Sequence, residues 1–252
     1  MFNLYNTLVY QPILHSLLFL YNLLGHNLGF AIIALTLLIR GALLPFVIPS
    51  LKSAKKMALL KPELDKLKKK YAKDPAKLKQ KQIEFYRRHN LNPATGCLPY
   101  LVQLVVLIAL YRVFMDSLKH GAIVGEVVNT RFWLWDLTAK DKTFILPVLA
   151  GLVQLLTSLA LLPAIENEPQ KRSVKKQTKE DLGEMAQTMQ QQMVFLMPLM
   201  TVIFALQFPS GLALYWFIST AFSFFQQILV AGPGGLVLYW NKLNVLLGKK
   251  RS

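Results

Sequence analysis

Between Leu28 and Pro49 the chain carries an almost unbroken apolar run, and inside it stands one full positive charge, Arg40. About twenty such residues suffice to cross a bilayer as a helix. At a rise of about 1.5 Å per residue, Arg40 lies roughly 18 Å from Leu28 and roughly 15 Å from Ser50, near mid-membrane. A cation at that depth costs at least ~2.5–3.5 kcal/mol on insertion scales, so something must solvate it. Snorkelling to an interface is the ordinary remedy, but the depth is large for it. The sequence predicts instead that Arg40 faces a wet cavity inside a helical bundle.

The rest of the chain supplies the bundle. It has 252 residues, 54% of them apolar and 17% charged, with several further apolar runs approaching twenty residues. The alternating pattern of a membrane barrel is missing, so an all-α polytopic membrane protein is expected. Five transmembrane helices are read, at 28–50, 97–116, 143–163, 189–207 and 211–231. Residues 1–27 read as an exterior or interfacial segment holding a short amphipathic helix. They contain no Lys or Arg, so the basic start of a signal peptide is missing. Pro45 and Pro49 are expected to kink the inner end of the first span.

Charge sets the expected topology. Residues 51–95 hold 14 Lys/Arg against Glu63, Asp65, Asp74 and Glu84. The positive-inside rule therefore puts 51–96 in the cytoplasm, with the N-terminus outside and the C-terminus inside. The segment reads as a helical hairpin. Met57, Leu60, Leu64, Leu67 and Tyr71 form a 3-4-3-4 seam in its first arm. Asp74 and Pro75 supply an N-cap and a first-turn proline for the second. Lys52, Lys55, Lys56, Lys61, Lys73, Arg87 and Arg88 give it a basic surface suited to an anionic partner, lipid head groups or RNA. Residues 117–142 fall outside, with Phe132, Trp133 and Trp135 as an interfacial aromatic belt. Residues 164–188 form a second cytoplasmic loop, and 232–252 a cytoplasmic tail.

The function classes narrow quickly. No Asp or Glu sits at depth in the spans, which disfavours proton- or ion-coupled transport. Paired aspartates, a metal-binding histidine pair and an activated serine are all missing, so an enzyme is not expected. His15, His26, His89 and His120 are scattered and Cys97 stands alone, so neither metal nor cofactor is expected. What remains is a polar groove with a positive floor. Thr36 lies one turn before Arg40 on the same face. Gln103, Gln154, Thr157 and Ser158 could line the facing helices, although each could equally make an ordinary interhelical hydrogen bond. Met185, Met189, Met193, Met197 and Met200 form a near-regular stripe, read first as core packing and second as an adaptable surface for apolar segments.

Three stretches resemble one family. They are Thr36-x-x-x-Arg40 with Pro45 following, Asn92-Pro-Ala-Thr-Gly-Cys-Leu-Pro-Tyr-Leu-Val-Gln103 with Tyr111 beyond it, and Phe208-Pro-Ser-Gly-Leu-Ala-Leu-Tyr-Trp216. Together they are similar to bacterial YidC-type membrane protein insertases, in the short form without the large periplasmic domain. The resemblance implies a five-helix core in the bacterial plasma membrane with a groove open to cytoplasm and lipid. It implies insertion of nascent membrane proteins, alone or with the Sec translocon and without nucleotide hydrolysis. By position, Arg40 matches the groove arginine, and Thr36 and Trp216, with Tyr215 beside it, match positions facing the nascent segment. Val105 replaces a proline common in the family. The short tail shifts expected ribosome docking to the hairpin and the 164–188 loop. The rival readings are a small-solute transporter or channel using the same cavity, and a scaffold that binds without translocating.

Overall fold

The computed structural model describes residues 5–91, 98–120, 128–161, 182–238 and 240. After a π-helical turn at Asn6–Tyr10, the described chain forms α1 (Gln11–Leu23), α2 (Leu28–Ala42), α3 (Leu44–Lys70), α4 (Pro75–Arg88) and α5 (Leu98–His120). A two-stranded hairpin follows, β1 (Arg131–Phe132) and β2 (Trp135–Asp136), then α6 (Ile145–Leu161), α7 (Leu182–Gln207) and α8 (Ser210–Ala231). The fold is all-α apart from that hairpin. Among the described residues, α8 is long and apolar enough to cross a membrane alone, and Leu28–Ala42 with Leu44–Leu60 makes a second, bent candidate. Gln103–Val113, Ile145–Leu161 and Val194–Gln207 are shorter apolar stretches.

The first apolar run departs from expectation. It is not one helix kinked at its prolines. The break falls at Leu43, before either, and turns the chain by 65°. Pro45 then lies in the first turn of α3, where a missing N–H leaves nothing unpaired. Pro49 and Pro62 sit inside α3, which runs on without a boundary near residue 51 to become the first arm of the basic hairpin. The arms are joined through Tyr71–Lys73, and the Asp74 carboxylate accepts the Lys77 N–H at 3.0 Å to cap α4. Each arm buries one leucine, Leu64 and Leu78.

Two other boundaries shift. α5 runs to His120, past the expected start of an exterior loop at 117. α7 starts at Leu182, inside the expected loop at 164–188. Most of that loop, and the tail beyond residue 240, lie outside the described residues.

The apolar core gathers at one end of the bundle. α1 contributes Leu14, Leu17, Leu20 and Tyr21; α2 contributes Leu28, Ala31, Ile32 and Leu35; α5 contributes Val106, Leu110 and Val113; α8 contributes Leu212 to Tyr215. Thus α1 is part of the core. The segment 128–144 closes this end. Asn27 caps α2 through its side-chain oxygen, which accepts from Gly29 N at 2.9 Å and Phe30 N at 3.3 Å. Its amide nitrogen donates to Arg131 O at 3.4 Å. Tyr21 Oη accepts the Asn129 N–H at 2.8 Å. The unpaired amides opening α8 find the loop's carbonyls, Ser210 N to Ala139 O at 2.7 Å and Gly211 N to Leu137 O at 2.9 Å. Phe132 seats its ring against Gly29, where a Cβ would lie only 2.1 Å from it.

Candidate functional site

The other end of the same helices is polar. α2 carries Arg40 one turn past the buried Thr36, α5 carries Gln103 one turn before its first core residue, and α8 carries Ser219 one turn beyond Tyr215. Arg40 Nη2 donates to Gln103 Oε1 at 2.6 Å and to Ser219 Oγ at 2.6 Å, and Nε donates to Ser219 Oγ at 2.9 Å. Ser219 in turn donates to Gln103 Oε1 at 2.9 Å. Tyr215 is buried beside them and lines the same cleft.

All these partners are neutral. Among the described residues the ion pair is Lys81–Glu84, in the hairpin far along the chain. A hydrogen bond to a charged group contributes about 1.5–3 kcal/mol when buried, whereas desolvating an ion costs several kcal/mol or more. The two sums are comparable only if some solvent remains, and Arg40 keeps part of its surface exposed.

The cleft around it is lined by Thr36, Ile39, Arg40, Leu43, Val47, Gln103, Val106, Tyr215 and Ser219. It encloses about 310 Å³, open mouth included. A helix about 10 Å across occupies about 400 Å³ per turn. The cleft as it stands is therefore too small to admit a helix. Leu43, at the bend, and Val47 of α3 form one wall.

Of the expected groove residues, the structure brings together Thr36, Arg40, Gln103 and Tyr215. Thr36 is buried and donates to its own Ile32 O at 2.6 Å, so it offers the cleft no free proton. Trp216 is half-buried on α8 next to the cleft residue Tyr215 and does not line the cleft. Gln154, Thr157 and Ser158 depart from expectation. They lie on α6, whose neighbours are α7 and α8, and none lines the cleft. Thr157 donates back to Val153 O at 2.8 Å, and Ser158 is buried. Ser219 is the residue sequence reasoning missed. Its signal was the i, i+4 spacing from Tyr215, which puts both on one face of α8.

Elsewhere, Lys52, Lys55, Lys56, Lys73, Arg87 and Arg88 are exposed on the hairpin, while the side chain of Lys61 lies outside the described set. Lys56 Nζ donates to His89 O at 2.6 Å and ties the first arm to the end of the second. Met197 and Met200 are exposed on α7, against the core-packing reading; the side chains of Met185, Met189 and Met193 are not described. The expected aromatic belt divides. Phe132 is buried, Trp135 is half-buried and donates to Thr143 Oγ1 at 3.0 Å, and Trp133 is exposed.

A largely helical, apolar bundle with one clear candidate span is the architecture of an α-helical membrane protein. Residues 19–233 match the family described as 60Kd inner membrane protein. The chain is 36% identical over 235 residues to membrane protein insertase YidC 2 of Bacillus anthracis, covering 91% of this chain and 82% of that one. It is 32% identical over 231 residues to membrane protein insertase MisCA of Bacillus subtilis, covering 89% and 78%. Against membrane protein insertase YidC of Pseudoalteromonas atlantica the identity is 35% over 214 residues, 84% of this chain but 34% of that one. The chain belongs to the YidC family of membrane protein insertases, proteins of the bacterial inner membrane and not a catalytic enzyme family.

Proposed function

We propose that the Arg40–Ser219–Gln103 cluster is the polar floor of an insertion groove. The polar flank of a nascent membrane protein enters the cleft, where Arg40 attracts its acidic groups and residual water keeps it solvated. The apolar segment moves meanwhile along the lipid-facing sides of the bundle. The observation that carries this reading is a largely buried, partly exposed arginine held by neutral partners, so its charge is not already spent on a carboxylate. No nucleotide is hydrolysed; the work comes from transfer of the apolar segment into lipid, about 0.8 kcal/mol per buried CH2.

The same proposal includes five crossings, the N-terminus outside and the C-terminus inside, so that the cleft opens to the cytoplasm and to lipid. The basic hairpin then lies at the cytoplasmic face. Its exposed cations suit ribosomal RNA and anionic lipid head groups, and the Sec translocon is a further partner for clients with long translocated regions.

The test is insertion into vesicles reconstituted with purified protein. Arg40→Ala should lose insertion of clients with acidic translocated tails, and Arg40→Lys should keep a substantial part of it. Wild-type insertion of such clients by Arg40→Ala would remove the electrostatic role.

A further inference from the structure

The tip of the β1–β2 hairpin is built against the usual rules for a turn in water. Its two connecting residues are Trp133 and Leu134, where glycine, asparagine or aspartate normally stand. Trp133 holds φ at +51°, a left-handed conformation that disfavours a bulky side chain. Nor is that strain offset by burial, since Trp133 is 84% exposed and Leu134 74%. The Trp133 ring stacks on Phe132 at 5.7 Å but leaves most of its surface free, and the base of the tip is fixed. Phe132 is wedged against Gly29, and Trp135 is bonded to Thr143.

That last bond also says what lies beside the tip. Thr143 directly precedes Phe144 and Ile145, both exposed, and Ile145, Val148 and Leu152 continue as an exposed stripe along one face of α6. The tip is therefore the end of an apolar surface that runs down a helix of a bacterial inner-membrane protein. Arg131, Lys140 and Lys142, in the same segment, are exposed.

We propose that Trp133 and Leu134 form a wedge inserted into the head-group and upper acyl region of the leaflet at the Ile145 end of α6. Lipid is the occupant because the patch is continuous with the apolar stripe of α6 and exposed cations stand in the same segment. A tryptophan at an interface is stabilised by having one apolar and one wet side. The wedge anchors the segment that closes the core end of the bundle. The assignment of this leaflet as the outer one rests on the topology proposed above; contact with lipid does not.

The experiment reads Trp133 fluorescence in vesicles, independently of insertion activity. In a variant with Trp135, Trp216 and Trp240 changed to Phe, nitroxide lipids labelled high on the acyl chain should remove most of the emission. Chain-end labels should remove less, and aqueous iodide little. Strong iodide quenching without lipid quenching would place the tip in water and overturn the proposal. Shielding from both quenchers would mean a protein occupant, such as a second copy of the chain, and would overturn it too. If the triple substitution fails to fold, the difference between wild type and Trp133→Phe gives the same reading. Trp133→Gly supplies a second arm. It should retain or raise thermal stability in detergent, because glycine suits the positive φ, whereas a tip packed against protein would be destabilised.

Discussion

Substituting Gly29 tests the closure of the bundle directly. An ideal Cβ at this position would lie 2.1 Å from Phe132 Cδ2 and 2.2 Å from Cγ. Non-bonded carbons ordinarily stop at about 3.5–4.0 Å, so Gly29→Ala must push the ring back by about 1.5 Å. That ring is 6% exposed, set edge-on to Phe30 at 5.4 Å and stacked with Trp133, so it has little room to yield. Overpacking of this kind costs about 1–3 kcal/mol. Helix propensity returns at most about 1 kcal/mol for Gly→Ala, and less in a first turn. The expected result is a net loss of about 1–2 kcal/mol. Gly41 is the control in the same helix, with nothing within 4 Å of its would-be Cβ, so Gly41→Ala should match or slightly exceed wild type. Phe132→Ala alone should cost about 3 kcal/mol or more by opening a cavity. Adding Gly29→Ala to it should then be neutral or stabilising, giving a coupling of about 2 kcal/mol in a double-mutant cycle. Thermal unfolding of the four proteins in one detergent measures this. A Gly29→Ala protein as stable as wild type, or a cycle without coupling, would show that the hairpin does not dock on α2.

Ser219→Ala removes two acceptor contacts to Arg40, but Arg40 is partly exposed and water can replace them, so unfolding should show a loss of only about 1 kcal/mol. Insertion of acidic-tailed clients should fall less than in Arg40→Ala, because the charge survives. Protease added from the cytoplasmic side should cut near the exposed Lys73 at the hairpin tip, and protease added outside should spare it. At Asp136, slight burial pushes the carboxyl pKa up, but bonds from Thr138 and Thr130 and the charge of Arg131 outweigh it and hold the pKa below its usual value. A depressed carboxylate stabilises the fold above its unfolded pKa and loses that contribution as pH falls through the folded one. The stability difference between wild type and Asp136→Asn should accordingly be present at neutral pH and shrink through and below the ordinary carboxylate range.

The residues that announce themselves in the sequence do so by breaking a local rule. Arg40 is a charge in an apolar run, Asp74-Pro75 is a cap before a helix, and the lysines of 51–95 are a block of one sign. Each carries its meaning within a few residues, and the Asp74 cap is seen in the fold. Three-dimensional packing decided the rest. A helix that is apolar all round has no stripe to say which side faces inward, so periodicity could not distinguish Gln103, which meets Arg40, from Gln154, Thr157 and Ser158, which do not. Ser219 looked like any small residue in such a helix until α8 was rotated against α2 and α5. The bend at Leu43 precedes both prolines, and it places Leu43 and Val47 in the wall of the cleft. The pairing of Gly29 with Phe132 joins positions about a hundred residues apart. Nothing within either segment encodes that contact, because the orientation of an apolar helix is set by the shape of its neighbours and not by its own hydrophobicity.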